Sequence, residues 1–304
     1  RNAPLCRGGL DVVVISVGCC ATMACMELAT LAWGFGLVEG PRVDSENNLF
    51  FTDVVDGGVF KRAPNGDIDT LISSRESVGG LLLHRDGGLV VTGPTVAHWN
   101  DGEMRLLLSL DGVLAFNDCH VDADGRVLVG SIRSDPAVLK GERVPGECWR
   151  IEHDGPATQL YGGVGLSNGI GFSPDQMTMY HCDSTGRCVI THDYAARGVP
   201  TNRSVIAEAS FERGVPDGMC VDVDGNLWVA HVGGRRVVKL SPTGEELDEI
   251  LIPARWVTSV AFGGPDLADM YIVTADNLDD ESRRGTIFHT VPGVQGLPTP
   301  LATV

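Results

Sequence analysis

The sequence has little positive charge and no long hydrophobic run. Among its 304 residues, 23 Lys and Arg stand against 40 Asp and Glu, which gives a formal net charge of −17. Nucleic acids and anionic membrane surfaces bind clustered Lys and Arg, so neither is expected as a partner. The most apolar early stretch, residues 12–20, is too short to cross a bilayer. The balance instead suits a protein that binds cations or neutral small molecules.

Paired cysteines are also missing, although nine cysteines are present. No Cys-x-x-Cys occurs, and the irregular spacing matches neither a zinc site nor a disulfide framework. A chain of this length buries a sizeable core without either kind of cross-link. We therefore expect buried, reduced thiols in a cytoplasmic protein. No P-loop or dinucleotide fingerprint is present either, which leaves common nucleotide sites unsupported.

A repeat of about forty to fifty residues runs through most of the chain. In each unit, a turn rich in Asp, Asn and Gly precedes a short apolar strand. These strands begin at residues 49, 89, 127, 177, 227 and 270. Most units continue into a second hairpin marked by a dipeptide such as Asn65-Gly66 or Asp154-Gly155, which tolerates the positive φ of tight turns. Six all-β units of this length are typical of a propeller.

We predict an all-β fold, a six-bladed β-propeller with four-stranded blades, as a single domain over residues 26–304. An open ring would expose strand edges, so strands from both chain ends are expected to pair and close it. Residues 27–31 would supply one closing strand, and residues 286–289 and 301–304 the others. Residues 1–25 are interpreted as an extension, from a tag or a mis-set start.

Polar side chains recur about ten residues before the repeated strands. The six equivalent positions are Glu39, Gly79, Asn117, Asn168, Asp217 and Val260. Each polar residue alone is an ordinary turn residue, but propeller symmetry brings positions of equal phase together at the central axis. Carboxylate and amide oxygens without Cys or His suit a hard divalent cation. We predict one such ion, Ca²⁺ first, with Mg²⁺, Mn²⁺, Zn²⁺ or Fe²⁺ as alternatives.

The same segments resemble the gluconolactonase and regucalcin (senescence marker protein) family, in order over about residues 26–304. The matching motifs are Glu-Gly-Pro at 39–41, Asn-Asp at 117–118, Ser-Asn-Gly at 167–169 and Pro-Asp-Gly at 216–218. The resemblance implies a six-bladed propeller with a divalent metal held by Glu39, Asn168 and Asp217. It makes Asn117 a fourth ligand or a substrate contact, and Asp217 the residue that activates water.

The resemblance and the ligand set together predict a metal-dependent hydrolase that opens a lactone ring, of an aldonolactone or a less polar lactone. The ion would polarise the carbonyl and lower the pKa of a bound water, and Asp217 would take its proton. Two alternatives stay open: an organophosphate hydrolase like diisopropylfluorophosphatase, and a calcium- or ligand-binding propeller without turnover. We expect a monomer or a weak homodimer.

Candidate substrate contacts are less well defined. Family lactonases commonly carry Arg two residues before the Asn-Asp pair, but this chain has Ala115 there. Arg133 is a candidate replacement, or else a solvated loop charge. Phe116 and His120 are further candidates, although each also suits a core position. Residues 134–145 are long enough to cover the mouth of the tunnel, or form a plain solvated connection.

Overall fold

Short strands and tight turns fill the chain in the computed structural model, which describes residues 11–15, 26–135, 143–195 and 198–304. In chain order the strands of these ranges are β1 (Asp11–Ile15), β2 (Met26–Ala32), β3 (Val38–Val43), β4 (Leu49–Asp53), β5 (Val59–Arg62), β6 (Ile68–Ile72), β7 (Leu81–Leu83), β8 (Leu89–Val91), β9 (Val96–Asn100), β10 (Glu103–Leu108), β11 (Ala115–Val121), β12 (Val127–Ile132), β13 (Gly146–Ile151), β14 (Thr158–Val164), β15 (Ser167–Phe172), β16 (Thr178–Asp183), β17 (Cys188–Asp193), β18 (Thr201–Glu208), β19 (Val215–Val221), β20 (Leu227–Val232), β21 (Arg236–Leu240), β22 (Glu246–Leu251), β23 (Val257–Gly263), β24 (Asp269–Thr274) and β25 (Ile287–Thr290). Two 3₁₀ turns, Phe211–Arg213 and Glu281–Arg283, accompany them.

Six antiparallel sheets form a ring of blades, which confirms the predicted six-bladed β-propeller. Blades one to five are β3–β6, β7–β10, β11–β14, β15–β18 and β19–β22, each with four strands. The first strand of every blade is innermost, and each inner strand contacts the inner strands of both neighbouring blades. The repeat seen in the sequence corresponds to the second strand of each blade, with the Asp-rich turn leading into it.

The Asp-rich turns are stable because a side chain accepts their backbone N–H groups. Asp122 Oδ1 accepts hydrogen bonds from the backbone nitrogens of Asp124 and Arg126, both at 3.0 Å. Gly125 has a φ of 82°, a region that favours glycine. The fifth blade repeats this turn around Asp222. This local chemistry explains why the Asp-x-Asp-Gly pattern marks the start of a strand.

The sixth blade closes the ring with strands from distant parts of the chain. Its strand order is β1-β2-β25-β24-β23, and Ala29 of β2 lies opposite His289 of β25. This pairing confirms the closing role of residues 27–31 and 286–289. Of the predicted extension, residues 11–15 form the outermost strand β1, and the remaining residues 1–10 and 16–25 lie outside the described ranges. So do residues 136–142 of the proposed covering loop.

Residues 291–304 do not return to the sixth blade, so the expectation that 301–304 form a closing strand is wrong. This segment, which we call the strap, crosses the end of the ring where the inner strands finish. Gly296 pairs with Asp222 of the fifth blade, and Ala302 pairs with His84 of the second. The reason is that β2 already occupies the open edge of β25, so the chain pairs elsewhere.

Apolar side chains fill the spaces between neighbouring blades. Phe116 and Val129 of the third blade pack with Val90 of the second in one such cluster. Of the nine cysteines, the five within the described ranges are free thiols and four of these are buried, as expected. Among the described residues, the chain forms no helix long and apolar enough to span a membrane.

Candidate functional site

The four predicted ligands lie near the starts of four inner strands: Glu39 on β3, Asn117 on β11, Asn168 on β15 and Asp217 on β19. Each of these strands shifts register against its second strand at that point. The shifts lie between Glu39 and Arg42, Phe116 and Cys119, Ser167 and Ile170, and Pro216 and Met219. A bulge in a strand re-aims its side chains. The same irregularity in four blades therefore accounts for four polar residues at one end of the ring.

A continuous chain of hydrogen bonds joins the third, fourth and fifth blades at this end. Asn117 Nδ2 donates to Asn168 Oδ1 at 2.6 Å and to the Ser167 carbonyl at 2.8 Å. Asn168 Nδ2 donates to Ser184 Oγ at 2.7 Å, and Ser184 Oγ donates to the Pro216 carbonyl at 2.6 Å. Because both amide nitrogens are already used, Asn117 and Asn168 can offer only their carbonyl oxygens to a ligand.

Three carboxylates are buried together at the same place. Glu39, Asp118 and Asp217 are each at most 8% exposed. Burial, followed by repulsion from Asp217 and Asp118, raises the pKa of Glu39 well above its usual range. Burial and the charge of Asp118 likewise raise the pKa of Asp217. Like charges held in a dry site are costly, and a bound cation would offset that cost.

The donor set fits a hard divalent cation. Asp217 Oδ1 is buried and has no hydrogen-bond partner among the described residues. A buried oxygen of this kind usually has a partner, so this one has a lone pair available to a bound cation. Among the described residues, no three His, Cys, Asp or Glu side chains are close enough to hold an ion by themselves. The set therefore depends on the amide oxygens of Asn117 and Asn168 beside Glu39 and Asp217.

Sequence reasoning missed Asp118 as a member of this cluster. Its pKa is raised by burial and lowered by Arg42, whose guanidinium nitrogen lies 3.8 Å from Asp118 Oδ1. The dipeptide Asn117-Asp118 is the signal in the sequence, but only Asn117 of this pair lies at the repeated position. Asp118 matters because its charge raises the pKa of both Glu39 and Asp217.

A glycine makes room for the cluster in the second blade. Gly79 takes the position that Glu39 and Asp217 take in their own blades. A Cβ at residue 79 would lie 1.9 Å from Asn117 Oδ1. The Asn117 side chain therefore occupies space that any other residue at position 79 would fill. Val260, the sixth equivalent position, is buried in the apolar core.

The family model described as SMP-30/Gluconolactonase/LRE-like region matches residues 37–276. The chain belongs to this family. It is 32% identical over 277 residues to regucalcin of Xenopus laevis, covering 85% of this chain and 92% of that protein. It is 34% identical over 271 residues to a 6-deoxy-6-sulfogluconolactonase of Pseudomonas putida, covering 84% and 91%. Among solved structures, a luciferin-regenerating enzyme matches with a TM-score of 0.82 and 26% identity, over 92% of this chain and all of that one.

Two of the proposed substrate contacts, Phe116 and His120, present no surface at the carboxylate cluster. Phe116 is fully buried in the core between the second and third blades, which leaves it no surface for a substrate. His120 lies towards the end of β11 and lines a cavity of about 80 Å³ with Arg42 and Phe172. Because the inner strands begin at the carboxylate cluster and finish at this cavity, His120 faces the opposite end of the ring. Burial lowers its pKa to about 4.

Arg133 is a partly exposed charge that is paired with a carboxylate, and it does not belong to an inner strand. It follows β12, the second strand of the third blade, and its Nε donates to Glu147 Oε1 at 2.7 Å. A second guanidinium nitrogen donates to the Asp111 carbonyl at 3.2 Å. Glu147 therefore neutralises the one arginine proposed to replace the family residue at Ala115.

Residues 165–169 read Gly-Leu-Ser-Asn-Gly, which matches the Gly-x-Ser-x-Gly pattern of a nucleophile elbow. The elbow requires a strand, a sharp turn and a helix, with the serine exposed at the turn. Here Ser167 instead begins strand β15 and is fully buried, with its hydroxyl 2.7 Å from His181 Nε2. A substrate cannot reach it, so the serine–histidine pair is not a catalytic nucleophile and its base.

Proposed function

We propose that this protein is a divalent-cation-dependent hydrolase that opens lactone rings. The observation that carries the proposal is the buried cluster of Glu39, Asp118 and Asp217, with Asp217 Oδ1 unpaired, beside the amide pair of Asn117 and Asn168. Relatives with lactonase names, such as the 6-deoxy-6-sulfogluconolactonase, support lactones as the substrate class.

Glu39, Asn168 and Asp217 would hold the ion, with Asn117 Oδ1 as a fourth ligand or as an acceptor for a substrate hydroxyl. When bound, the cation supplies Lewis acidity for the carbonyl and lowers the pKa of water. Asp217 is the proposed base, because one of its oxygens is free of protein hydrogen bonds. The water oxygen bonds to the carbonyl carbon, the ring carbon–oxygen bond breaks, and the water proton reaches the leaving oxygen. The product is a hydroxy acid.

The surroundings of the cluster favour lactones with fewer hydroxyl groups than an aldonolactone. Ala115 provides no guanidinium for a sugar hydroxyl, and Arg133 is paired with Glu147. Both aldonolactones and less polar lactones belong in the assay, because the two classes differ in the hydroxyl groups that such a guanidinium would bind. Ca²⁺ is the first ion to test, since every proposed ligand atom is an oxygen.

The decisive experiment assays the wild-type protein and Asp217→Asn against aldonolactones, aliphatic lactones and a fluorophosphate. Ca²⁺, Mn²⁺ or Zn²⁺ is supplied after chelation. We expect lactone turnover that requires a cation and falls about a hundredfold or more in Asp217→Asn, in the range typical of a lost general base. Asp101→Asn, at an exposed turn, is the matched control and should retain full activity.

Other outcomes of the same panel would replace the proposal. Turnover of the fluorophosphate alone would identify an organophosphate hydrolase. Cation binding without turnover of any substrate would identify a binding propeller. The cytoplasmic location stays a prediction. The oligomeric state, a monomer or a weak homodimer, is also a prediction, and size-exclusion chromatography with light scattering tests it.

A further inference from the structure

Behind the candidate ligands lies a buried hydrogen-bonded chain that the proposed chemistry does not use. Ser167 Oγ on β15 is 2.7 Å from His181 Nε2 on β16. His181 Nδ1 is 2.7 Å from the hydroxyl of Tyr161 on β14, and this hydroxyl donates to Met179 Sδ at 3.9 Å. Ser167 and His181 have no exposed surface. Four residues of the fourth blade and its neighbour thus form one polar chain inside the protein.

The contacts favour one placement of the protons in this chain. With the Tyr161 hydroxyl donating to Met179 Sδ at 3.9 Å, its oxygen can accept the Nδ1 proton of His181. Nε2 of His181 then carries no proton and accepts from the Ser167 hydroxyl. This arrangement gives every donor an acceptor, as buried groups require. Burial lowers the pKa of His181 to about 3, so the ring is neutral at ordinary pH.

Ser167 is held on two sides. Its hydroxyl is fixed by His181, and its carbonyl accepts from Asn117 Nδ2 at 2.8 Å. The hydroxyl occupies a slot beside Gly130, where a Cβ would lie 1.6 Å from Ser167 Oγ. The same Asn117 nitrogen donates to Asn168 Oδ1 at 2.6 Å. The position of Ser167 therefore sets the positions of both amide side chains.

We propose that Tyr161, His181 and Ser167 form a positioning relay that places the Asn117 and Asn168 oxygens for the cation. The relay begins at Tyr161, passes through the His181 ring and ends at the bulge of β15, next to Asn168. Its members touch neither the ion nor the substrate. The inference rests on the proposed cation site. It adds Tyr161 and His181, which neither the family motifs nor the repeat includes, and it gives the serine of the Ser-Asn-Gly motif a role of its own.

The test measures Ca²⁺ affinity by calorimetry on the metal-free wild-type protein, Ser167→Ala, Tyr161→Phe and the double variant. Loss of a residue that orients a ligand typically weakens metal binding by about tenfold, so Ser167→Ala should show a loss of that size. Tyr161→Phe should weaken Ca²⁺ binding less than Ser167→Ala does. In the double variant it should cause no further loss, because Ser167→Ala has already removed the hydrogen bond that connects His181 to β15. Thr290→Val is the matched control: it removes a buried, hydrogen-bonded hydroxyl on the sixth blade, and affinity should stay within about twofold.

A second readout does not depend on the cation. Nitrogen-15 NMR of the imidazole should show His181 of the wild-type protein protonated at Nδ1, and this preference should disappear in Tyr161→Phe. That variant removes one oxygen and keeps the ring stacked on His192 at 4.2 Å, so it should fold.

Three results would overturn the relay while leaving the proposed function intact. These are unchanged Ca²⁺ affinity in Ser167→Ala, additive losses in the double variant, and a proton on Nε2 in the wild-type protein. A wild-type protein that binds neither Ca²⁺ nor Mn²⁺ would instead refute the proposed function, and the relay with it.

Discussion

At the scale of single residues, the candidate site depends on glycine and alanine positions as well as on its polar side chains. Gly79 leaves space for the Asn117 amide, and Gly130 leaves space for the Ser167 hydroxyl. Ala115 provides no guanidinium near the ligands, and that of Arg133 is paired with Glu147. These small residues let polar groups from neighbouring blades approach each other closely.

The substitution Gly79→Ala tests whether the absence of a side chain at residue 79 is needed to place the Asn117 amide. The new Cβ would lie 1.9 Å from Asn117 Oδ1 and 3.2 Å from the Asn117 Cα, so the side chain must move. We expect Ca²⁺ affinity, measured by calorimetry, to fall about tenfold, as for a displaced ligand. Gly162→Ala is the control, because its Cβ would meet only side-chain atoms at 3.6 Å or more. Equal affinities in the two variants would contradict the placement of Asn117.

At the scale of strands, buried aspartates anchor the entries to the inner strands. Asp53, at the end of β4, accepts hydrogen bonds from the backbone nitrogens of Gly36 and Leu37, just before β3. Asp183, at the end of β16, does the same for Gly165 and Leu166 before β15. These carboxylates hold the segments that lead to Glu39 and Asn168. The bulges that follow then turn the ligands out of the regular ladder.

Asp183→Ala should therefore destabilise the fold and loosen the start of β15. Three backbone nitrogens, those of Gly165, Leu166 and Gly186, would lose their acceptor. An unpaired buried donor costs about 1–3 kcal/mol. These three donors are only partly buried, so we expect a combined loss near 3 kcal/mol in the free energy of unfolding by urea. Asp69→Ala, on the exposed face of β6, should change it by less than about 0.5 kcal/mol. If Asp183→Ala lowers the free energy of unfolding by no more than Asp69→Ala does, water replaces the carboxylate as the acceptor.

At the scale of the whole molecule, buried histidines make the fold sensitive to acid. Burial lowers the pKa of His192 and His231 to about 4 and that of His181 to about 3. The folded state therefore prefers the neutral rings. The stability that they contribute is complete above the unfolded pKa of about 6.5 and is lost as the pH falls towards 4. The carboxylate cluster titrates in the opposite sense, since its raised pKa values disfavour the folded state as the pH rises.

His192→Phe separates these contributions. Both nitrogens of the His192 ring are buried without a partner among the described residues, and the ring stacks on Tyr161 at 4.2 Å. Phe keeps the stacking and removes the titration. Between pH 6 and 4, the slope of unfolding free energy against pH should fall by up to about 1.4 kcal/mol per pH unit, which is one proton. Gln295→Ala, at an exposed side chain that does not titrate, should leave the slope unchanged. A slope unaltered by His192→Phe would contradict the buried neutral ring.

The fold was predictable because its signal is local and repeated. An Asp-rich turn such as that around Asp122 and a tight Gly turn such as that at Gly66 each follow from a few neighbouring residues. The path of the strap was not predictable, because Ala302 bonds to the second blade across 218 residues of sequence, from His84. Membership of the family followed from four short motifs, and the family model confirms it.

The candidate ligands were predictable from their equal phase in the repeat, but the groups around them were not. Asp118 lies one residue after the repeated position, which is Asn117 in the third blade. Its role depends on its burial beside charged residues of other blades. Ser167 and His181 meet only because β15 and β16 pair in a shifted register. Contacts between blades depend on side-chain directions that no local pattern encodes.

The strap has a kinetic consequence. It lies across the end of the ring where the inner strands finish, and residues 297–300 help to enclose the cavity there. Because the strap covers that end, we expect a lactone to enter, and the hydroxy acid to leave, at the end of the ring where the carboxylate cluster lies. We expect the released acid to act as a competitive inhibitor, so that progress curves bend well before the substrate is exhausted.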